Sequence, residues 1–231
     1  MNINEWVSGL SGPTDPVLSL FQEISAAGTK LECFPGKTSP VSGNGGQFAT
    51  ADFYHNEQAW KIYYPARCNA HQLYHELLHV RWRHIEKALS LSAQAGADAN
   101  TINNISELNN DFDHAHVVPR EVATYPEAGQ YWANDFDRKF PVGVRMPSDR
   151  VGGFQVKLTL LRGWMVLPVA LPQSPVTQRY REALDTNGWY SAAEKMTRRV
   201  QAVGSDKPAA VGAFREALGL DFPRTELCGY V

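Results

Sequence analysis

The stretch Tyr74-His75-Glu76-Leu77-Leu78-His79-Val80 constrains this chain more than any other. It contains His-Glu-x-x-His. On a helix, His75 and His79 stand one turn apart on one face, so their imidazoles can converge on one metal ion. Glu76 lies about 100° round the same helix, where it can hold a water on that metal without ligating the metal itself. The flanking residues supply the helical context this reading needs. Pro65 closes the preceding segment, Asn69 has the chemistry of an N-cap, and Gln72 can reach back as in a capping box. From Ala70 to about Ser90 there is no Gly or Pro, and one helix is expected. On it His71, His75, His79 and Trp82 share a face, while Leu73, Tyr74, Leu77, Leu78, Val80, Ile85 and Ala88 fill most of the remainder. Arg81 is the misfit. A buried helix with a polar notch at His75 and His79 is what a metal-binding helix requires.

Upstream, Val17 to Ala27 carries Val17, Leu20, Phe21 and Ile24 at helical spacing, and Gly28 ends it as a C-cap glycine would. Leu31 to Phe34 is a short strand candidate. Phe48 to Tyr54 and Ala59 to Tyr64 read as two strands, with Trp60, Ile62 and Tyr64 alternating against Lys61 and Tyr63. The polar turn His55-Asn56-Glu57-Gln58 joins them into a hairpin. Gly36-Lys37-Thr38 is similar to the tail of a phosphate loop, but Leu31 stands where the upstream glycine is needed and Pro40 soon follows. Gly43-Asn44-Gly45-Gly46 continues that loop.

Downstream, a helix is expected from Ile102 to about Val118, capped by Thr101 and stopped by Pro119. Glu107, Asn110, Asp111 and His114 fall on one of its faces, and Ile105, Leu108, Phe112, Ala115 and Val118 on the other. Residues 119–150 hold Pro126, Pro141 and Pro147 and read as short helix, loop and linker. Phe154 to Ala170 is apolar, suited to a core helix or strand, with Pro168 and Pro172 to stop it. Helices follow near 175–186, 190–203 and 207–219. Tyr180-Arg181-Glu182-Ala183-Leu184 is echoed by Phe214-Arg215-Glu216-Ala217-Leu218, which reads as two similar short helices and not as a repeat array.

Composition narrows the function classes. Lys and Arg total 22 against 24 Asp and Glu, so the net charge of −2 offers no general field for nucleic acid or an anionic membrane. No apolar run reaches the length of a membrane span, and Met1 to Trp6 lacks the pattern of a secretory signal. The three cysteines, Cys33, Cys68 and Cys228, form no Cys-x-x-Cys pair, which fits a reduced, cytoplasmic protein. Cys68 is a conceivable metal ligand, but it lies before the N-cap.

Zinc is the default metal for the motif. A catalytic zinc takes three protein ligands and keeps the fourth position for water. Two ligands are His75 and His79. For the third, Glu107 is the first choice, as the Glu that thermolysin-like sites take from a following helix; His114 is second and Asp111 third. With Glu107 as ligand, His114 is placed to donate a hydrogen bond to the oxyanion of a tetrahedral intermediate. Glu76 is expected to act as general base toward the zinc-bound water.

His75-Glu-Leu-Leu-His79 after a hairpin, with Asn110-Asp-Phe112 and Val117-Val118-Pro119-Arg120-Glu121, resembles the ImmA/IrrE-type zinc metallopeptidase-like family over roughly residues 30–125. In that pattern an acidic ligand precedes Ala-Asn-x-Phe, and the family's Glu would fall at Leu108, one residue from Glu107. The resemblance implies an α+β, zincin-like metallopeptidase domain over residues 1–148, its small mixed sheet packed on the motif helix and a following ligand helix. Residues 149–231 are expected to form a mainly helical C-terminal region. It further implies an intracellular zinc metallopeptidase hydrolysing a peptide bond in a protein or peptide substrate, a regulatory protein above all. Its counterpart in another class is a zinc-containing sensor or binding module of a stress-response or defence system, without proteolysis.

Overall fold

A computed structural model describes residues 6–41, 49–93, 95–141, 150–219 and 225–228. Gly43-Asn44-Gly45-Gly46, the start of the first hairpin strand at Phe48 and the expected boundary at 148/149 lie outside these residues. The fold is α+β: mostly helix, with a small mixed sheet. Packing divides the chain into two compact units, Met1–Lys87 and Ala88–Val231.

In the first unit, β1 (Leu10–Ser11) pairs in parallel with β5 (Cys68–Asn69). Between them come α1 (Asp15–Ala26), β2 (Lys30–Pro35), β3 (Thr50–Tyr54) and β4 (Ala59–Tyr64). The sheet order is β2-β4-β3, with β2 parallel and β3 antiparallel to β4. The expected hairpin is present, and its second strand is central. That position explains a departure from alternation. Trp60, Ile62 and Tyr64 are buried, but so are Ala59 and Tyr63, because both faces of β4 are covered. Tyr63 stacks on Phe34 of β2 at 5.0 Å between centroids. Helix α1 starts with Pro16 in its first turn, where a missing N–H costs nothing. It buries Val17, Leu20 and Ile24 and packs on α2 (Ala70–Val80).

The helix expected to run to about Ser90 is shorter. After Val80 it widens into a π-helical turn, Arg81–Ile85, and then ends. Two contacts span the five-residue interval of that turn: the Glu86 N–H donates to the Arg81 carbonyl at 3.1 Å, and the Arg81 guanidinium donates to the Glu86 carboxylate. Lys87 follows at φ 59°, a left-handed conformation no helix can pass through.

The second unit opens with β6 (Ser90–Ala93), which pairs antiparallel with β7 (Thr225–Cys228). Its main helix, α3, spans Ala99–Thr124. Asp98, not Thr101, is the N-cap, accepting from the Thr101 N–H. The helix also continues through Pro119. A proline there cannot donate to the carbonyl of Ala115, four residues back. Gln201 supplies the missing donor, its Nε2 reaching the Ala115 carbonyl at 2.8 Å.

After α3 come α4 (Ala128–Lys139), α5 (Arg150–Trp164), α6 (Leu167–Ala170), α7 (Pro175–Thr186), α8 (Tyr190–Val203) and α9 (Lys207–Leu218). The apolar run from Phe154 is therefore helix, broken at Met165-Val166. The last three helices fall where the sequence places them. The echoed pentapeptides sit at equivalent packing positions: Tyr180, Leu184, Phe214 and Leu218 are all buried. A Cβ on Gly163 would lie 2.3 Å from the Tyr180 ring, so glycine is what lets α5 approach α7 there.

Candidate metal centre

The start of α2 is fixed by the capping box read from sequence. The Asn69 side chain accepts from the His71 N–H at 3.1 Å, and the Gln72 side chain accepts from the Asn69 N–H at 3.3 Å. With its phase set, the helix places His75 and His79 on one face, both buried. Their Nε2 atoms are 3.1 Å apart, and the rings meet edge to face with centroids 4.7 Å apart. Two nitrogen ligands on a tetrahedral zinc, each at 2.0–2.1 Å, stand about 3.3 Å apart. The pair is thus already spaced as two ligands of one ion.

His114 completes a group. One ligand atom from each of His75, His79 and His114 lies within 4.8 Å of the others, and the three can hold a metal ion. Imidazole donors suit zinc, copper, iron or nickel, so the donor set alone leaves the metal's identity open.

The carboxylates proposed for the third position stand elsewhere. Glu107 is largely exposed and accepts from Arg162 Nη1 at 3.1 Å. Asp111 is engaged by the Nε–H of the same guanidinium. Burial pushes the Asp111 carboxyl up from the ordinary aspartate range, and Arg162 opposes that shift. Neither carboxylate is in the histidine group. Cys68 is not in it either. Its thiol is buried and pushed up to about 11, so at neutral pH it is protonated and a poor ligand.

Glu76 is half-buried on α2, one residue past the first histidine. Its charge is felt by Asp52 on β3. Asp52 is half-buried and accepts from the Ser39 hydroxyl. Burial raises its carboxyl above the ordinary range, the Ser39 hydrogen bond opposes this, and Glu76 raises it further. On the α3 side, the His114 ring meets the indole of Trp132 edge to face at 5.0 Å.

Asp52, Trp132 and Arg162 are the residues that sequence reasoning missed. None falls in a motif, and each reaches its partner across a separation that local spacing does not encode. The Arg162–Asp111 contact, for example, joins residues 51 positions apart. No protein-family model matches the chain, and neither does any curated protein or solved structure.

Proposed function

We propose that the protein is a zinc metallopeptidase with His75, His79 and His114 as zinc ligands and Glu76 as general base. The observation that carries the reading is the buried His75–His79 pair, its Nε2 atoms 3.1 Å apart on a helix whose next residue after His75 is a glutamate. Three nitrogen ligands form a complete protein set for a catalytic zinc. Bound there, zinc would lower the pKa of a water toward neutrality and polarise a peptide carbonyl.

The residues of the chain account for the proton traffic. Glu76 takes a proton from the attacking water at its carboxylate and passes it to the leaving amine nitrogen as the C–N bond breaks. With His114 as ligand in place of Glu107, His114 is no longer the oxyanion donor. β3 is an edge strand of its sheet among the described strands, and packs beside α2. This supports an extended peptide as substrate, since such a peptide can add to an open edge through main-chain hydrogen bonds. Among the described residues no helix is long and apolar enough to cross a membrane. The resemblance to ImmA/IrrE-type proteins favours a regulatory protein as the substrate.

Metal analysis of protein purified without chelator, paired with Glu76→Gln, tests this. About one zinc per chain is expected in both proteins. Hydrolysis of a peptide substrate is expected only in the unsubstituted one. Absence of zinc overturns the reading. Zinc in both proteins with biological activity undiminished by Glu76→Gln means the site serves a sensor or binding module instead.

A further inference from the structure

We propose that Trp132, held by Glu121, positions the imidazole of His114 for metal binding; this rests on the reading of His114 as a zinc ligand. Glu121 follows His114 by two turns of α3, so both lie on nearly the same face of that helix. Glu121 is 1% exposed and Trp132 is 6% exposed. The indole Nε1–H donates to a Glu121 carboxyl oxygen at 2.8 Å. The same indole meets the His114 ring edge to face, with centroids 5.0 Å apart at 69°. Tyr131 and Phe136 pack against the indole from α4 itself, at 5.3 and 6.1 Å.

A metal-ligating histidine needs its ring orientation fixed. The usual device is a hydrogen bond from its second nitrogen to a carboxylate or carbonyl. A buried indole packed edge to face on the ring restrains it in the same sense. The imidazole cannot turn without displacing a ring that is itself anchored by a hydrogen bond. A glutamate is a costly residue to bury, and its carboxyl oxygen is well matched to the indole N–H that donates to it. The pair Glu121–Trp132 therefore serves more than core filling, for which two apolar residues would suffice.

The test uses the full chain. Affinity for Zn²⁺, the visible spectrum of the Co²⁺-loaded protein and thermal unfolding of the metal-free protein are measured for the unsubstituted chain and for Trp132→Phe, Glu121→Leu, Glu121→Gln and His114→Ala. Trp132→Phe and Glu121→Leu are expected to weaken Zn²⁺ binding about 10-fold or more and to change the Co²⁺ spectrum. Glu121→Gln keeps an acceptor oxygen and is expected to stay near the unsubstituted protein. If Trp132→Phe and Glu121→Leu lower only the unfolding temperature, or if Glu121→Gln is as damaging as Glu121→Leu, the positioning role is overturned. His114→Ala separates this from failure of the underlying reading. If that substitution leaves Zn²⁺ affinity intact, His114 is no ligand, and the reading fails before the positioning role arises.

Discussion

Helices α2 and α3 both carry ligand-type side chains at helical spacing, and they use them differently. In α2, His75 and His79 face one another at 3.1 Å, and the charge that Glu76 acts on is another carboxylate, Asp52. In α3, three acids and one amide are met by cations. Arg162 takes Glu107 and Asp111, while Lys207, 3% exposed, takes Asp113 at 2.9 Å and also donates to Asn109. Of α3's ligand-type residues, His114 is the one that stands in the metal-site group. Helical spacing therefore marks a polar face without saying what the face is for. Carboxylates matched by arginine or lysine hold a fold together. Imidazoles with their nitrogens turned toward each other could hold an ion.

The largest effect expected is at the metal. His79→Ala removes half of the α2 pair, and zinc content should fall from about one per chain to below about 0.1. His114→Ala should lose most of the zinc as well, whereas Glu107→Ala should retain it and show only the loss of an exposed ion pair. Metal analysis after gel filtration reads all three. Zinc loss in Glu107→Ala with retention in His114→Ala would reverse the contrast between the two helices.

Next in size is the buried pair on α3. Lys207→Met leaves Asp113 buried without that cation, and such a loss costs about 3–5 kcal/mol. Pairing it with Asp113→Leu should recover much of the stability, since two apolar residues of similar size replace an ion pair at little net cost. Denaturant unfolding measures both. Zinc content of the folded fraction should be unchanged, because these acids belong to the fold and not to the site.

A smaller effect is expected where α3 passes Pro119. Gln201→Leu withdraws the donor to the Ala115 carbonyl and should cost about 1 kcal/mol. Adding Pro119→Ala returns a main-chain N–H to the same carbonyl and should restore that loss. If Gln201→Leu is as costly in the Pro119→Ala background as in the unsubstituted chain, the glutamine is not compensating for the proline.

What the sequence shows about these helices follows the range of each interaction. The capping box at Asn69 and Gln72, the hairpin and the last three helices rest on contacts a few residues long, and they are legible. The end of α2 is not, although its contacts (Arg81 with Glu86, and the backbone of Lys87) are just as local, because no motif in the sequence announces a π-helical turn. Nor is the passage through Pro119, which a glutamine more than eighty residues away makes tolerable. β6 pairs with a strand near the far end of the chain. At the candidate site the α2 histidines are legible because one helix turn sets their relation. The preference for Glu107 fails to anticipate Arg162, since no local pattern announces a cation from another helix.

The smallest effect expected is also the one that tests whether Asp52 and Glu76 act on one another. Asp52 has its carboxyl raised above the ordinary value of 3.8, first by burial and further by Glu76, against the hydrogen bond from Ser39. A raised acid binds its proton more tightly folded than unfolded. Its contribution to stability is therefore fully present below the unfolded value and is lost as pH rises through the folded one. The charged form of Asp52 is therefore the one the fold disfavours, and the protonated form is not. Asp52→Asn, which keeps a polar group for Ser39, should gain stability at about pH 7, and the gain should shrink as pH falls toward about 4. Denaturant midpoints across that range read this directly. A gain that does not change with pH would mean packing, not charge, separates the two side chains. Adding Glu76→Gln should reduce the gain, since one of the causes raising Asp52 is then gone. If the gain is unmoved by Glu76→Gln, the two carboxylates do not interact, and the half of the comparison that describes α2 loses its electrostatic basis.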